Sequence, residues 1–238
     1  MKTASASNLI KAVKTRIDEI MTNESGSVLP SDDTNLDAII LGVAGDAYRY
    51  VCLNCPDELL EGTPADEGTL TMTIESRVGE DGRFLVGVVQ LPSDYLRGVS
   101  VRVSSWLRAA NDFIREDSPE YTMQWDPYAR GTWQRPVAAV VESGATSGQV
   151  SSTAKTMELF TPKAVTDTLS RFYYVKDVGE IDGTSSVSIP DKLYNGYIYY
   201  ICYLVLTAIR DQSAAQFYRI ANELIGNDNN NETNTYQQ

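Results

Sequence analysis

Three cysteines are the side chains of this 238-residue chain whose types and spacing first suggest chemistry. Cys52 and Cys55 have the C-x-x-C spacing of a redox dithiol or of half a zinc site, and Cys202 is far from both. A zinc site needs four ligands, and one distant cysteine in a chain without histidine supplies too few. A thioredoxin-like dithiol follows a strand, whereas the residues before Cys52 have a helical pattern. We therefore interpret the cysteines as buried or half-buried thiols at a helix end.

The chain contains no histidine, which removes the commonest general base and the usual partner of a catalytic Ser or Cys. Carboxylate or lysine chemistry stays open. The adjacent acids, however, fall at predicted turns or loops, where turn formation explains them: Asp32/Asp33, Glu80/Asp81 and Glu116/Asp117. No GxGxxG, GxxxxGK[ST] or GxSxG pattern occurs. The sequence thus predicts no catalytic residue, no cofactor and no metal site.

The formal net charge of −12 argues against a protein that wraps nucleic-acid phosphates, which requires clustered Lys and Arg. It is compatible with a surface that repels DNA, or simply with solubility. The N-terminal residues lack the apolar segment of a signal peptide. The longest apolar run, Tyr197 to Leu206, is too short to span a bilayer. We expect a soluble, non-secreted protein without membrane contact.

Helical periodicity marks both ends of the chain. Apolar residues recur every three or four positions in residues 8–21, 34–53 and 214–225, and Gly226 is a suitable C-cap for the last of these helices. A helix from Tyr194 to Arg210 is apolar nearly all round, which predicts central burial in its own fold or between subunits. Its tyrosines favour packing over base stacking, because few basic residues accompany them.

Strand-like alternation marks the middle of the chain. Residues 70–74 and 84–89 flank a turn at residues 79–82 and predict a β-hairpin. Residues 99–104 and 137–141 supply a third and a fourth strand, so we expect a sheet of about four strands between residues 69 and 142.

These patterns predict an α+β fold, in which a helical-bundle body carries a small antiparallel β-rich insertion and long loops. The predicted boundaries are N-terminal helices of the body at 1–60, the β-rich insertion at 69–142, a mobile loop or arm at 143–156, C-terminal helices of the body at 157–226, and a disordered tail at 227–238.

A cluster of aromatic and arginine side chains lies in the loop-rich part of the insertion. Its members are Trp125, Tyr128, Arg130, Trp133 and Arg135. Trp, Tyr and Arg are enriched at interface hot spots, so the cluster is our candidate contact surface. An alternative is equally open: tryptophans that cover a small core, with arginines paired to local acids.

Three runs of the chain resemble virion proteins of tailed bacteriophages. They are LPSDYLRGVSV, SPEYTMQWDPYARGTWQRPVAAVV and IPDKLYNGYIYYICYLVLTAIRDQSAAQFYRIANELI. Together with the layout of helices and strands, these runs resemble head-to-tail connector proteins, also called portal adaptors or neck rings. Connectors of crAss-like phages look nearest. The resemblance covers most of residues 8–226.

The resemblance implies a structural, non-enzymatic virion protein that is made in the host cytoplasm and located in the neck. Such connectors form rings, usually of twelve copies, that contact the portal and other neck or tail rings. DNA passes through the lumen without sequence recognition. Residues 143–156 and 227–238 would be arms that become ordered on assembly. Smaller adaptors lack the β-rich middle, which leaves open which ring this chain forms.

Three alternatives remain at this stage. One is another virion component, such as a tail hub, a stopper or a capsid-associated protein. Another is a carboxylate-dependent hydrolase carried by a phage, which would need two opposed acids in a cleft. The third is an acidic binding module unrelated to phages.

Overall fold

The computed structural model describes residues 1–24, 34–65, 70–142 and 155–226. The chain divides into two compact units: a terminal unit, Met1–Glu61 with Asp177–Gln238, and a central unit, Gly62–Lys176. In chain order the elements are β1 (Lys2–Ser5), α1 (Ala6–Glu24), α2 (Thr34–Asn54), β2 (Thr63–Pro64), β3 (Met72–Gly79), β4 (Gly82–Gln90), β5 (Tyr95–Val103), β6 (Phe113–Arg115), α3 (Pro119–Thr122), β7 (Ala138–Val141), β8 (Thr156–Phe160), β9 (Leu169–Lys176), β10 (Ser186–Ile189), α4 (Tyr194–Ala208) and α5 (Ala214–Ile225).

Helix α4 is central to the terminal unit, where it packs against α1, α2 and α5. Tyr197, Ile201 and Val205 recur every four positions and are fully buried. The Tyr197 hydroxyl donates a hydrogen bond to the Ala44 carbonyl of α2 at 3.1 Å. Burying each large apolar side chain contributes roughly 1.5–3 kcal/mol. The expectation of a centrally buried helix is confirmed.

The ends of the terminal unit are fixed by backbone pairing and by a glycine cap. Strands β1 and β10 form an antiparallel ribbon from the Lys2–Ile189 pair to the Ser5–Ser186 pair. Helix α5 ends at Gly226, whose φ of 79° is left-handed. Glycine adopts this conformation without steric cost, so the predicted C-cap is confirmed.

The central unit contains two sheets that share one core. The first has the strand order β2-β9-β5 and is antiparallel, and the second has the order β3-β4-β8-β7-β6 with only β6 and β7 parallel. Val101 and Phe172 from the first sheet and Val89 and Leu159 from the second are buried in the same cluster. The predicted hairpin is confirmed as β3 and β4. The predicted third strand, β5, lies in the other sheet.

Strand β8 occupies the middle of the five-stranded sheet and is buried on both faces. Met157 and Leu159 belong to the core between the sheets, whereas Phe160 belongs to a second cluster with Phe84 and Val86 on the opposite face. Glu158, which faces that same side, is also buried. In sequence, polar and apolar residues alternate over only four positions of β8, from Thr156 to Leu159, which is the shortest run that indicates a strand.

The predicted helical-bundle body with a small β-rich insertion is wrong. The described residues form ten strands in three sheets as well as five α-helices. The region from 157 to 226, predicted to be helical, begins with β8 and β9, which belong to the sheets of the central unit. Even the terminal unit contains a sheet, β1 with β10. These strands escaped prediction because their pairing partners are distant in the chain.

Two sequence predictions fall largely on parts of the chain that the structure does not describe. The predicted arm at 143–156 lies outside the described residues except for Lys155 and Thr156, and the predicted tail at 227–238 lies wholly outside them.

Two glycines of α2 provide a matched test of packing in the terminal unit. A Cβ at Gly45 would lie 2.5 Å from the Gly179 carbonyl oxygen, whereas the Cβ position of Gly42 is open space. We expect Gly45→Ala to lower the free energy of unfolding by about 1–3 kcal/mol, because the backbone must shift. Gly42→Ala should raise it by up to about 1 kcal/mol, because alanine favours helix. Urea unfolding measures both changes. A neutral Gly45→Ala would contradict the close approach.

Candidate contact surface

The predicted contact cluster lies in the loop of residues 116–136 of the central unit. Helix α3 begins where the Ser118 hydroxyl accepts a hydrogen bond from the Tyr121 N–H at 3.3 Å, with Pro119 at the first helical position. Both residues favour a helix start. A 3₁₀ turn, Met123–Trp125, follows directly. Tyr121 and Trp125 thereby pack against the apolar cluster on the sheet below.

Trp125 is half-buried within its own chain. Its ring contacts Tyr121, Phe160 and Phe84 edge-to-face, at centroid distances of 5.0, 6.0 and 6.4 Å. Each such pair contributes about 0.5–1.5 kcal/mol beyond the area that it buries. Trp125 therefore covers the second core cluster, as the packing alternative of the sequence analysis expected for a tryptophan in this loop.

Arg130 ties the loop to the turn between β3 and β4, and its side chain is only 7% exposed. Its guanidinium donates to the Gln124 carbonyl at 2.7 Å, to the Trp125 carbonyl at 3.0 Å and to the Asp81 carboxylate at 3.0 Å. The guanidinium carbon also lies 3.7 Å from the centre of the Phe84 ring, a cation–π geometry. Arg130 is therefore engaged inside its own chain.

Gln124 is a buried amide that satisfies two further backbone groups of the loop. Its side-chain oxygen accepts from the Gly131 N–H at 2.8 Å, and its nitrogen donates to the Glu120 carbonyl at 2.9 Å. Buried polar groups are costly unless they are hydrogen-bonded. Gln124 and Arg130 together hold the loop in one conformation.

Glu158 is a buried carboxylate beneath the same loop, 5% exposed. Arg77 pairs with its Oε1 at 2.7 Å, and the Tyr121 hydroxyl donates to its Oε2 at 2.9 Å. Burial, together with the hydrogen bond to Glu158, raises the pKa of Tyr121. The Tyr121 hydroxyl therefore keeps its proton at neutral pH. Both carboxylate oxygens have partners in the chain, which is the arrangement of a structural anchor for the loop.

The other three predicted contact residues reach solvent. The Tyr128 side chain is 98% exposed, at a turn where Asp126 accepts its backbone N–H at 2.8 Å. Trp133 is half-buried, and the Lys163 ammonium lies 3.5 Å from the centre of its ring. Arg135 is exposed, and no carboxylate pairs with it among the residues that the structure describes. The cluster thus consists of two supporting residues and three residues that face outward.

Sequence analysis missed two exposed apolar residues near Trp133. Leu107 is 64% exposed and its N–H donates to the Trp133 carbonyl at 3.0 Å, and Val165 is 70% exposed in the loop that carries Lys163. Single exposed apolar residues in polar loops give no periodic signal. The contact that joins these loops, between Ser105 and Asp167, spans 62 positions and cannot be read from local sequence.

A family model for the SU10 adaptor protein matches residues 4–237. The chain belongs to the SU10 adaptor protein family. It is therefore a structural adaptor of the phage virion, and its partners are other phage head or tail proteins. No curated protein matches the chain. The predicted relation to phage connectors is confirmed at this level, whereas the closer likeness to crAss-like phages stays a prediction.

The three cysteines of the adaptor form no disulfide in the described part of the chain, and all three are buried. The Cys55 thiol donates to the Cys52 carbonyl at 3.7 Å, and burial raises the pKa of Cys202 to about 12. The interpretation of buried thiols at a helix end is confirmed for Cys52 and Cys55, which lie at the end of α2. Within the described ranges, no three His, Cys, Asp or Glu side chains gather as metal ligands, and no helix is long and apolar enough to cross a bilayer.

The role of Arg130 in the adaptor can be tested by a conservative replacement. We expect Arg130→Lys to lower the free energy of unfolding by about 1–3 kcal/mol, because lysine cannot reproduce the fork of donors and leaves buried carbonyls unpaired. Arg135→Lys, on the same loop but exposed, is the matched control and should change the free energy by less than about 0.5 kcal/mol. Urea unfolding compares them, and equal stabilities of the two variants would show that Arg130 is not a structural tie.

Proposed function

We propose that this adaptor forms a closed ring in the neck of a tailed phage particle, where it joins the portal to the tail. The observation that carries the proposal is the family match over residues 4–237. An adaptor that joins symmetric parts of a particle is itself best arranged with closed rotational symmetry, since its contacts then repeat without a free end.

The proposed ring has twelve copies and belongs to a connector of the crAss-like type. Both statements rest on the resemblance of the three sequence runs in residues 91–101, 118–141 and 189–225 to connectors of such phages, whose rings usually have twelve copies. The portal and the other neck or tail rings are the proposed neighbours.

The proposed ring lines the channel through which DNA passes. The terminal unit has 8 Lys and Arg against 18 Asp and Glu, a formal charge of −10. A surface with excess negative charge repels phosphates, so DNA can move past it without sequence recognition. The proposal needs no enzymatic activity and no cofactor.

The proposed contact residues are Tyr128, Trp133 and Arg135, with Trp125 and Arg130 supporting them from below. Tyrosine offers a large rigid contact area at low cost in conformational entropy. The Tyr128 side chain has such an area open to solvent, on a loop that Arg130 holds in place. Trp133 packs against the core as well, so its replacement would also disturb the fold.

A phage that carries Tyr128→Ser tests the function and the contact together. We expect at least about tenfold fewer tailed particles and an accumulation of DNA-filled heads without tails, because loss of an interface aromatic costs roughly 2 kcal/mol or more, which weakens a contact about 30-fold. Electron microscopy of negatively stained lysates counts both forms. The purified variant should keep the urea unfolding midpoint of the parent chain, since Tyr128 is exposed.

Two control experiments separate the possible results. Ile209→Ser replaces an apolar residue of the terminal unit that is 45% exposed, and it should leave tail attachment unchanged. A phage that lacks the chain should form no head–tail junctions. Tailed particles without the chain would overturn the neck function. Normal attachment in the Tyr128→Ser phage alone would remove Tyr128 from the contact.

A further inference from the structure

The two sheets of the central unit have four edge strands in the described part of the chain, and three of them are protected against pairing. Strand β2 is two residues long and ends in Pro64, and β6 is three residues long. Strand β5 pairs with β9 through three register shifts, and on its other side Val101 exchanges two backbone hydrogen bonds with Ala110. Short strands, proline, bulges and covering segments are the usual protections of a sheet edge.

Strand β3, the fourth edge, lacks these protections. It is eight residues long, contains neither proline nor lysine, and pairs with β4 along its whole length without a register shift. Its one basic residue, Arg77, pairs with Glu158 of the same sheet at 2.7 Å. The arginine is thus bound to its own sheet, and β3 is a long and regular edge.

Three residues of β3 direct their backbone groups away from β4. Leu85 lies opposite Ser76, but its carbonyl accepts a hydrogen bond from the Thr161 N–H at 3.1 Å, on the side of β8. Ser76 and Leu85 are therefore a pair that is not hydrogen-bonded, and the alternation of antiparallel pairs gives Ile74 and Val78 the same outward direction. Among the described residues, no backbone group bonds to the N–H or carbonyl of these three β3 residues.

The side chains at this edge also reach solvent. Ser76 is exposed, and Val78 is 67% exposed. An open row of donors and acceptors at every second residue is complementary to the backbone of another extended strand. The edge of β3 is therefore a surface for strand addition.

We propose that β3 pairs antiparallel with β3 of a second copy, with Ser76 opposite Ser76 of the second copy. In this register each outward N–H and carbonyl of Ile74, Ser76 and Val78 gains a backbone partner. Ile74 lies opposite Val78 of the second copy, and such apolar cross-strand pairs stabilise a sheet. The two five-stranded sheets thereby become one continuous sheet.

The sequence of β3 is complementary to itself in this register. Glu75 lies opposite Arg77 of the second copy, so opposite charges face each other at both ends of the central pair. The adjacent two-fold registers place Glu75 opposite itself or Arg77 opposite itself, and like charges directly opposite are destabilising. Registers centred on Ile74 or Val78 leave part of the edge unpaired. These constraints select a second copy as the occupant and Ser76 as the centre.

The pairing has two-fold symmetry, whereas neighbours in a closed ring of twelve are related by a smaller rotation about one axis. The paired form is therefore free protein that has not yet joined a particle. Pairing covers an edge that would otherwise be open to unspecific strand addition. This inference goes beyond the proposed neck function and does not depend on it.

Ser76→Cys tests the register in purified full-length protein. The two Cα atoms at this position would lie about 5.5 Å apart, within reach of a disulfide. Thr73→Cys, also exposed on β3, is the matched control, because its two copies would lie about 20 Å apart. With diamide as the oxidant, we expect Ser76→Cys to form a covalent dimer at least about tenfold faster than Thr73→Cys, since pairing raises the effective thiol concentration. Non-reducing electrophoresis measures both rates, and the three native cysteines are buried.

Two further variants test the strength of the pairing by sedimentation equilibrium up to about 1 mM protein, where weak dimers are populated. Ser76→Pro removes an outward N–H, and Val78→Lys places a charge on the edge. We expect each change to weaken self-association at least about tenfold. Val165→Lys makes the same replacement at a valine that is 70% exposed on another loop, and it should associate like the parent chain. Unchanged urea midpoints check that each variant is folded.

Each possible result decides the pairing. Faster cross-linking of Ser76→Cys together with weaker association of Ser76→Pro and Val78→Lys supports it. A parent chain that stays monomeric up to about 1 mM, equal cross-linking rates of the two cysteine variants, or a Ser76→Pro variant that associates like the parent would each overturn it. None of these results bears on tail attachment in a phage that lacks the chain, which decides the neck function separately.

Discussion

The guanidinium of Arg130, bonded to two backbone carbonyls and to Asp81, determines how the central unit presents its outer surface. Residues 116–136 contain little regular structure, so their backbone polar groups need side-chain partners. Arg130 supplies partners for the carbonyls and Gln124 for the Gly131 N–H. The loop can therefore lie on the aromatic cluster and hold Tyr128 in solvent. An unsupported loop would have to order on binding, at a cost in affinity.

Local sequence patterns identified the elements that are defined by neighbouring residues alone, namely the hairpin and the most apolar helix. The hairpin of β3 and β4 has a turn between alternating strands, and α4 has an apolar surface that required burial. Strand β8 gave only a weak signal, because polar and apolar residues alternate over just four of its positions, and β9 pairs with β5, far earlier in the chain. The predicted helical-bundle body failed for this reason. Pairing between distant segments is a property of the whole chain, and periodicity does not report it.

Composition located the candidate surface but could not tell which of its residues are buried supports and which face solvent. Arg130 and Arg135 lie five positions apart and look alike in sequence, yet one is enclosed and the other exposed. The two arginines differ in their partners, because only Arg130 pairs with Asp81. Asp81 lies 49 positions before Arg130 and reaches it because the hairpin turn approaches the loop. The same limit hid Leu107 and Val165, whose loops are joined by Asp167. Family membership supplied the biological setting, which the geometry of a single chain does not contain.

Cryo-electron microscopy of the neck of the phage particle tests the account most directly, since it reports the position and the copy number of the chain together. The account predicts a closed ring of this adaptor between portal and tail, with an open lumen and with Tyr128 at a protein contact. Density for the chain elsewhere in the particle, or as single copies outside any ring, would contradict it.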